Sequence, residues 1–213
     1  MSRALRGTAL AVTAVAMVAG IGAGGTAFVA RDGESETARA DAPTLERPAE
    51  PSTSTTVAAG PALPTPEPPP ADEYEDVPVV EIGQIEIPRI GLVHTIYEGV
   101  WLTVVDHGPG HWPGTAEPGG YGNSVFAGHR VTNSHPFRRI DELAPGDEII
   151  VRTAQGTFVY QATDHEIVDE TGLHIIDQAP GQTITLFACH PPGSAQYRYV
   201  VRGTLVRTEA PPA

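Results

Sequence analysis

Residues 183–202 read Thr-Ile-Thr-Leu-Phe-Ala-Cys-His-Pro-Pro-Gly-Ser-Ala-Gln-Tyr-Arg-Tyr-Val-Val-Arg, a pattern that predicts a β-hairpin. Its first seven residues predict a β-strand, because threonine, β-branched and aromatic side chains dominate. The two prolines and the glycine at 191–193 end that strand, and a second strand begins at about Tyr197. In an antiparallel hairpin that pairs Cys189 with Arg198, the thiol and the guanidinium are neighbours on one face.

Composition limits the classes of protein to which the chain can belong. It has 213 residues, a formal net charge of −13 and one cysteine. The length accommodates one domain with long extensions. The charge distribution shows no basic face for nucleic acid, so we expect no nucleic-acid partner. A lone cysteine cannot form an intrachain disulfide, which leaves a buried inert residue, an intermolecular bridge or a thiol with a chemical role.

The N-terminal segment predicts a membrane anchor. Residues 7–30 are uncharged and apolar over about the length that a bilayer-spanning helix needs. Arginines precede this run and acidic residues follow it, which predicts a cytoplasmic N-terminus and an extracytoplasmic remainder. We therefore expect a cytoplasmic stub and a single-pass anchor within residues 1–31. A cleaved signal peptide, with small residues near Gly25 and Ala27 as its cleavage site, is the alternative.

Residues 32–78 predict a disordered linker. They are acidic, dense in Pro, Ala, Ser, Thr and Glu, and almost free of aromatic residues, so they cannot bury enough apolar area to fold alone. Proline runs such as residues 68–70 make a partly extended tether the expected conformation.

Residues 79–213 predict a single all-β domain. Short apolar or alternating runs recur, punctuated by Gly and Pro at intervals of about ten residues. Eight such runs would close a barrel, and short helical turns are expected at 137–143 and 172–177. The predicted strands are 84–87, 93–97, 123–127, 148–153, 156–164, 165–169, 182–189 and 197–207.

One of the eight histidines stands out by its position. His129 ends the run at residues 124–130, in which strand alternation places Val125, Ala127 and His129 on one face. Gly128 lets another backbone or a ligand come close. A histidine at a strand tip beside a small residue fits a general acid or base that faces a cleft.

Cysteine, histidine and arginine together indicate acyl transfer through a thioester. A Cys189 thiolate is the nucleophile, His129 can protonate an amine leaving group, and Arg198 can favour the thiolate and bind an oxyanion. A metal site that uses Cys189 and His190 with other histidines is the chemical alternative. The spacing matches neither a zinc motif nor a calcium-binding loop, so we expect no metal and no cofactor.

The motifs around these residues resemble those of the sortases, the membrane-anchored cysteine transpeptidases of Gram-positive bacteria. The family's Thr-Leu-x-Thr-Cys motif is matched by residues 185–189, except that Ala188 replaces the second threonine. Its histidine motif, Gly-Asn followed by a hydrophobic pair and Ala-Gly-His-Arg, is matched by residues 122–130. The similarity extends through residues 82–88, 110–116 and 143–147 to the last strand.

The resemblance is greatest to class E sortases, with class D second. The loop between the cysteine and the arginine is short, and His-Pro-Pro follows the cysteine. The thirteen basic residues are all arginine, and Ala, Gly and Pro are abundant, which is an actinobacterial-looking composition.

The resemblance implies an eight-stranded sortase-type β-barrel with short helices. It also implies roles for three residues: Cys189 as nucleophile, His129 as acid and base, and Arg198 as the group that binds the oxyanion and orients the substrate. Arg202 lies on the same face of the last strand, but the family pattern and the cross-strand register both favour Arg198.

The resemblance further implies a substrate, an acceptor and a location. The substrate is a secreted protein with a C-terminal Leu-Pro-x-Thr-Gly signal, or the Leu-Ala-x-Thr-Gly variant associated with class E, cleaved between Thr and Gly. The acceptor is a lipid-linked peptidoglycan-precursor amine at the plasma membrane. Thr185, Ala188 and His190 are the expected substrate-binding residues. A pilin-polymerising sortase and, because of Ala188, a catalytically silent surface-binding domain are the alternatives.

Overall fold

The computed structural model describes residues 61–211. The predicted anchor and the predicted linker up to residue 60 lie outside the described residues. Within the described part, no helix combines the length and the apolar character needed to cross a membrane.

Eight strands form a closed barrel, as predicted from the sequence. The strands are β1 (Val80–Ile87), β2 (Leu92–Glu98), β3 (Gly110–His111), β4 (Gly122–Ala127), β5 (Glu148–Thr153), β6 (Gly156–Asp169), β7 (Gln182–His190) and β8 (Tyr197–Glu209). Their order around the barrel is β1, β2, β3, β4, β7, β8, β6, β5. The helical segments within residues 61–211 are short: α1 (Leu102–Val105) and three 3-10 turns at Pro88–Ile90, Ile140–Glu142 and Leu173–Ile176.

Two strands differ from the prediction. The segments 156–164 and 165–169 form one continuous strand, β6, because β8 pairs with it along its whole length and register shifts absorb its bend. The strand β3 was not predicted. It has only two residues, begins with a glycine and exists because β2 and β4 lie on either side of it.

The order β4, β7, β8 brings the predicted functional residues to one end of the barrel. β4 pairs in parallel with β7, so the C-terminal ends of both strands lie at the same edge. β7 and β8 form the predicted antiparallel hairpin, and Cys189 pairs directly with Arg198 as expected. His129 follows the end of β4 by two residues and therefore reaches the same edge.

Strand alternation divides the core into an inner and an outer cluster. The inner cluster fills the barrel and includes Phe126 and Leu186, both fully buried. The outer cluster lies against the other face of the same strands and includes Val125, Phe187 and Val200. Because side chains alternate, residues 189 and 198 belong to the outer face and residues 190 and 199 to the inner face.

Residues 67–75, which we call the strap, lie against the barrel although they belong to the predicted linker. Four hydrogen bonds join the strap to the domain: Glu67 N to Pro113 O (2.9 Å), Trp112 Nε1 to Glu67 O (2.9 Å), Leu102 N to Glu73 O (2.7 Å) and Thr103 Oγ1 to Glu75 O (2.9 Å). On the strap side every bond uses a backbone group. Backbone hydrogen bonds therefore hold the strap against the domain.

An ion pair between a buried histidine and a partly exposed glutamate joins β2 to β3. His111 is 1% exposed; its Nδ1 lies 2.9 Å from Glu98 Oε2 and its Nε2 lies 3.0 Å from Ala116 O. Burial of the ring lowers the pKa of His111, but the hydrogen bond and the charge of Glu98 outweigh it, so the pKa is raised above its ordinary value of 6.5.

This pair predicts a pH-dependent contribution to stability. A raised histidine pKa stabilises the fold fully below the unfolded value of 6.5, and the contribution disappears as the pH rises through the folded pKa. We expect Glu98→Gln to lower the unfolding free energy by on the order of 1–2 kcal/mol between about pH 5 and 6.5, and by less at alkaline pH. Thermal denaturation of both proteins across this range measures the effect. A difference that grows with pH would contradict the assignment.

Candidate active site

The end of the β7–β8 hairpin places a thiol beside a guanidinium. Cys189 is free and partly exposed, and its direct cross-strand partner is Arg198. The guanidinium is held by its own loop, because Nη1 donates to Ala195 O at 2.5 Å and to Tyr197 O at 3.2 Å. These contacts hold the guanidinium against the loop that joins β7 to β8.

His129 is positioned by backbone contacts on both sides. Gly128 N donates to Phe187 O at 3.1 Å, which ties this loop to β7, and His129 O accepts from Phe137 N at 3.1 Å. A Cβ atom at Gly128 would lie 2.4 Å from the Phe137 ring. The glycine is thus required because an aromatic side chain packs against it. The sequence predicted a close backbone or ligand at this position, whereas the structure has the Phe137 side chain there.

His129, Cys189 and Arg198 line one cavity of about 450 Å³. Most of the surrounding wall is apolar and comes from Val100, Leu102, Val105, Trp112, Phe187 and Ile175. Pro69, Pro70 and Glu73 of the strap line another part of the wall. A mostly apolar groove with a few polar groups beside a thiol suits a short, largely apolar peptide.

A carboxylate that the sequence did not reveal contacts the histidine. His129 Nε2 lies 2.7 Å from Asp106 Oδ1, and Asn133 Nδ2 donates to the same oxygen. An ionised carboxylate only accepts hydrogen bonds, so Nε2 carries a proton and Nδ1 is the nitrogen left to exchange one with a substrate. Asp106 directly follows α1, a helix that the sequence did not predict.

Comparison with known proteins identifies the family. A family model described as a sortase domain matches residues 85–206. The chain belongs to the sortase domain family. The resemblance seen in the sequence motifs is therefore confirmed, and sortases are cysteine transpeptidases.

The relatives of this sortase domain include both classes that the motifs suggested. Sortase SrtE1 of Streptomyces coelicolor is 36% identical over 138 residues, covering 57% of this chain and 39% of that protein. Sortase D of Bacillus subtilis is 34% identical over 128 residues, covering 58% of this chain and 63% of that protein. The matches thus span less than two thirds of the length of these curated relatives.

A solved structure supports the fold assignment. The crystal structure of sortase E1 from Streptomyces coelicolor with a tripeptide in the active site aligns with a TM-score of 0.59 and 31% identity. The alignment covers 62% of this chain and 91% of that chain. The sortase barrel is therefore shown for the described part of this chain.

Two of the predicted substrate-binding residues lie away from the cavity of the sortase domain. Thr185 is 1% exposed, and its hydroxyl donates to Asn123 Oδ1 at 2.8 Å. His190 turns to the inner face of the barrel, where its Nδ1 lies 2.8 Å from Arg130 Nη1. Neither residue lines the cavity, so the geometry favours structural contacts over contacts with substrate.

Ala188 borders the cavity but packs in the barrel. It is 2% exposed, belongs to the inner cluster and pairs with Tyr199 across the hairpin. Strand alternation directs its side chain away from the face of Cys189. The exchange of threonine for alanine in the family motif therefore leaves the three predicted catalytic groups in place.

Arg202, the other arginine considered on β8, is engaged elsewhere. It pairs with Thr185 in the sheet, its Nη2 donates to Glu166 and its Nε lies 4.0 Å from Asp164. It does not line the cavity. The geometry thus agrees with the choice of Arg198.

Acidic and histidine side chains are numerous in the domain. Over residues 61–211, no three His, Cys, Asp or Glu side chains converge in an arrangement that could hold a metal ion.

Proposed function

We propose that this protein is a transpeptidase that cleaves a C-terminal sorting signal between Thr and Gly and joins the new carboxyl end to an amine. The observation that carries the proposal is the direct pairing of Cys189 with Arg198, with His129 lining the same cavity. Membership of the sortase family supports the same chemistry.

The first half-reaction forms a thioester. The Cys189 thiolate attacks the threonine carbonyl carbon, a C–S bond forms, and the carbonyl oxygen becomes an oxyanion. The Nη1 contacts fix the Arg198 guanidinium, whose other nitrogens carry donors for that oxyanion. The C–N bond then breaks, and His129 gives a proton to the departing glycine amine.

The second half-reaction releases the product. A new amine attacks the thioester carbonyl, and His129 takes its proton. The second oxyanion collapses, a C–N bond replaces the C–S bond, and Cys189 leaves as a thiolate. Asp106 keeps the Nε2 side of the His129 ring occupied throughout, so both proton transfers use Nδ1.

The cavity and the relatives indicate the substrate class. The apolar wall suits the apolar residues at the start of a Leu-Ala-x-Thr-Gly or Leu-Pro-x-Thr-Gly signal. Similarity to a sortase E1 that holds a tripeptide in its active site supports a peptide ligand. We extend the proposal to a lipid-linked peptidoglycan-precursor amine as acceptor, and to an extracytoplasmic domain held by the predicted anchor.

Ligation of peptides by the full-length chain in detergent tests the proposal. Fluorogenic Leu-Ala-x-Thr-Gly and Leu-Pro-x-Thr-Gly peptides are incubated with and without diglycine, and the products are identified by mass spectrometry. We expect cleavage after threonine and a new threonine–diglycine bond. Absence of cleavage with both peptides would contradict the proposal.

Covalent labelling separates this function from a silent binding domain. A peptide analogue with a thiol-reactive group in place of the scissile bond is expected to add to Cys189. A domain that binds without chemistry leaves Cys189 unmodified, and that result would favour the silent alternative.

The contact between Asp106 and His129 predicts a rate effect. We expect Asp106→Asn to lower kcat by about 10-fold, which is a modest share of the rate gain that acid–base catalysis contributes. The effect is modest because the Asp106 side chain is 51% exposed, and solvent weakens its interaction with His129. Asp164→Asn is a matched control, since Asp164 is an exposed aspartate that lies near an arginine at another part of the barrel. Equal kcat values for the two variants would contradict a role for Asp106.

A further inference from the structure

Arg130 is a deeply buried charged residue that the proposed mechanism does not use. Its side chain is 2% exposed and does not line the catalytic cavity. Burying a guanidinium costs free energy, and a buried ion pair often stabilises a fold no better than apolar residues would. The contacts of Arg130 indicate what it contributes instead.

Three residues that contact one another, Arg130, His190 and Tyr199, each directly follow a residue assigned to catalysis. His129 is followed by Arg130 itself, Cys189 by His190, and Arg198 by Tyr199. Alternation along β7 and β8 places His190 and Tyr199 on the inner side of the barrel, behind the catalytic face, and Arg130 follows the end of β4 by three residues. Arg130 contacts both of the others.

The contacts are specific. Arg130 Nη1 donates to His190 Nδ1 at 2.8 Å, and the Arg130 Cζ atom lies 5.6 Å from the centre of the Tyr199 ring, a cation–π distance. The His190 and Tyr199 rings are themselves 5.7 Å apart. An arginine has no acceptor, so His190 Nδ1 is unprotonated and its proton is on Nε2.

A carboxylate on a separate segment fixes the guanidinium from its other end. Arg130 Nη2 lies 2.8 Å from Asp141 Oδ2, in the 3-10 turn Ile140–Glu142. This bond closes the loop that begins after His129. The planar fork thus joins the loop after β4 to the hairpin of β7 and β8.

We propose that Arg130 is a positioning residue that sets the distances among His129, Cys189 and Arg198 from behind the active site. The inference rests on the proposed function, because it concerns the geometry of that reaction. It also reassigns His190 from substrate binding to this support. A lysine cannot replace the fork, because one ammonium cannot reach His190 and Asp141 in the same planar geometry.

Kinetics of Arg130→Lys in the full-length chain test this role. A misplacement of about 1 Å can cost about 100-fold in rate, so we expect kcat to fall by roughly 10- to 100-fold with little change in KM. Ile149→Val and Ile149→Ala serve as controls for stability, because Ile149 is buried in β5, away from the catalytic loops. A kcat for Arg130→Lys equal to that of an Ile149 variant with the same Tm would overturn the proposal.

Substitutions of His190 distinguish positioning from substrate binding. Asparagine places an acceptor near the position of Nδ1, whereas leucine places none. We expect His190→Asn to retain a higher kcat than His190→Leu, with similar KM values. A raised KM with an unchanged kcat in His190→Leu would show that His190 contacts substrate, and the proposal would fail.

A measurement without substrate separates this proposal from the proposed function. If the wild-type chain ligates no peptide, the proposed function fails, but the rate of alkylation of Cys189 by iodoacetamide still reports the surroundings of the thiol. We expect Arg130→Lys to change this rate several-fold relative to the Ile149 variants. Identical alkylation rates would overturn the positioning role in either case.

Discussion

Replacement of Cys189 by alanine is expected to abolish ligation, with a loss of about 10⁴-fold or more in kcat. The estimate follows from other enzymes with a covalent nucleophile, where only binding and oxyanion stabilisation remain after its removal. Cys189 is partly exposed on the outer face, so its truncation leaves the barrel packing intact. Fluorogenic cleavage and mass spectrometry of the trapped thioester measure the effect.

A stability control makes this result interpretable. Circular dichroism and the Tm of Cys189→Ala should match the wild-type chain, because the hairpin register depends on backbone pairing of β7 with β8. Turnover that persists in a folded variant would refute the thioester mechanism. Loss of both fold and activity would instead show that the residue is structural.

Replacement of Arg198 by lysine is expected to lower kcat by about 10²- to 10³-fold. A planar guanidinium held beside the nucleophile can donate to an oxyanion, whereas an ammonium is a point charge on a flexible chain. Removal of one donor from an oxyanion site costs about this much in other acyl-transfer enzymes. Steady-state kinetics with a sorting-signal peptide give kcat and KM separately.

Arg202→Lys is the matched control, since Arg202 is also on β8 and four residues away. Its contacts with Glu166 and Asp164 are surface ion pairs, which contribute about 0–1 kcal/mol to stability and nothing to the cavity. We expect its kcat to remain near the wild-type value. A larger loss in Arg202→Lys than in Arg198→Lys would reverse the assignment of the two arginines.

Local patterns predicted the hairpin and its register well. Prolines and a glycine end β7, Tyr197 starts β8, and the short loop between them leaves few ways to pair Cys189, so the pairing with Arg198 follows from the chain itself. The exchange at Ala188 could be seen in the sequence but not interpreted, because its inward direction depends on the completed barrel.

Features built from distant segments could not be predicted in this way. Asp106 reaches His129 across 23 positions of sequence, and it follows a helix of only four residues that has no periodicity to detect. Arg130 stood inside the histidine motif, yet its contacts with His190 and Tyr199 arise only when β4 and β7 are neighbours. Such contacts depend on strand order rather than on any short motif.

The strap shows the limit of composition as a guide to order. Its prolines and acidic residues are typical of a solvated linker. The hydrogen bonds that hold it use backbone groups, so the hydrophobicity of its side chains does not predict them. The described part of the predicted linker is therefore bound at residues 67–75.

The strap also determines the point at which a chain from the proposed anchor would join the catalytic domain. Because it precedes β1 and lines the catalytic cavity, a force carried along the chain from the membrane reaches the cavity wall before it reaches any strand. In the proposed membrane-anchored arrangement, the chain would thus enter the domain at the wall of the catalytic groove, and changes in the strap would alter both the attachment and the peptide site.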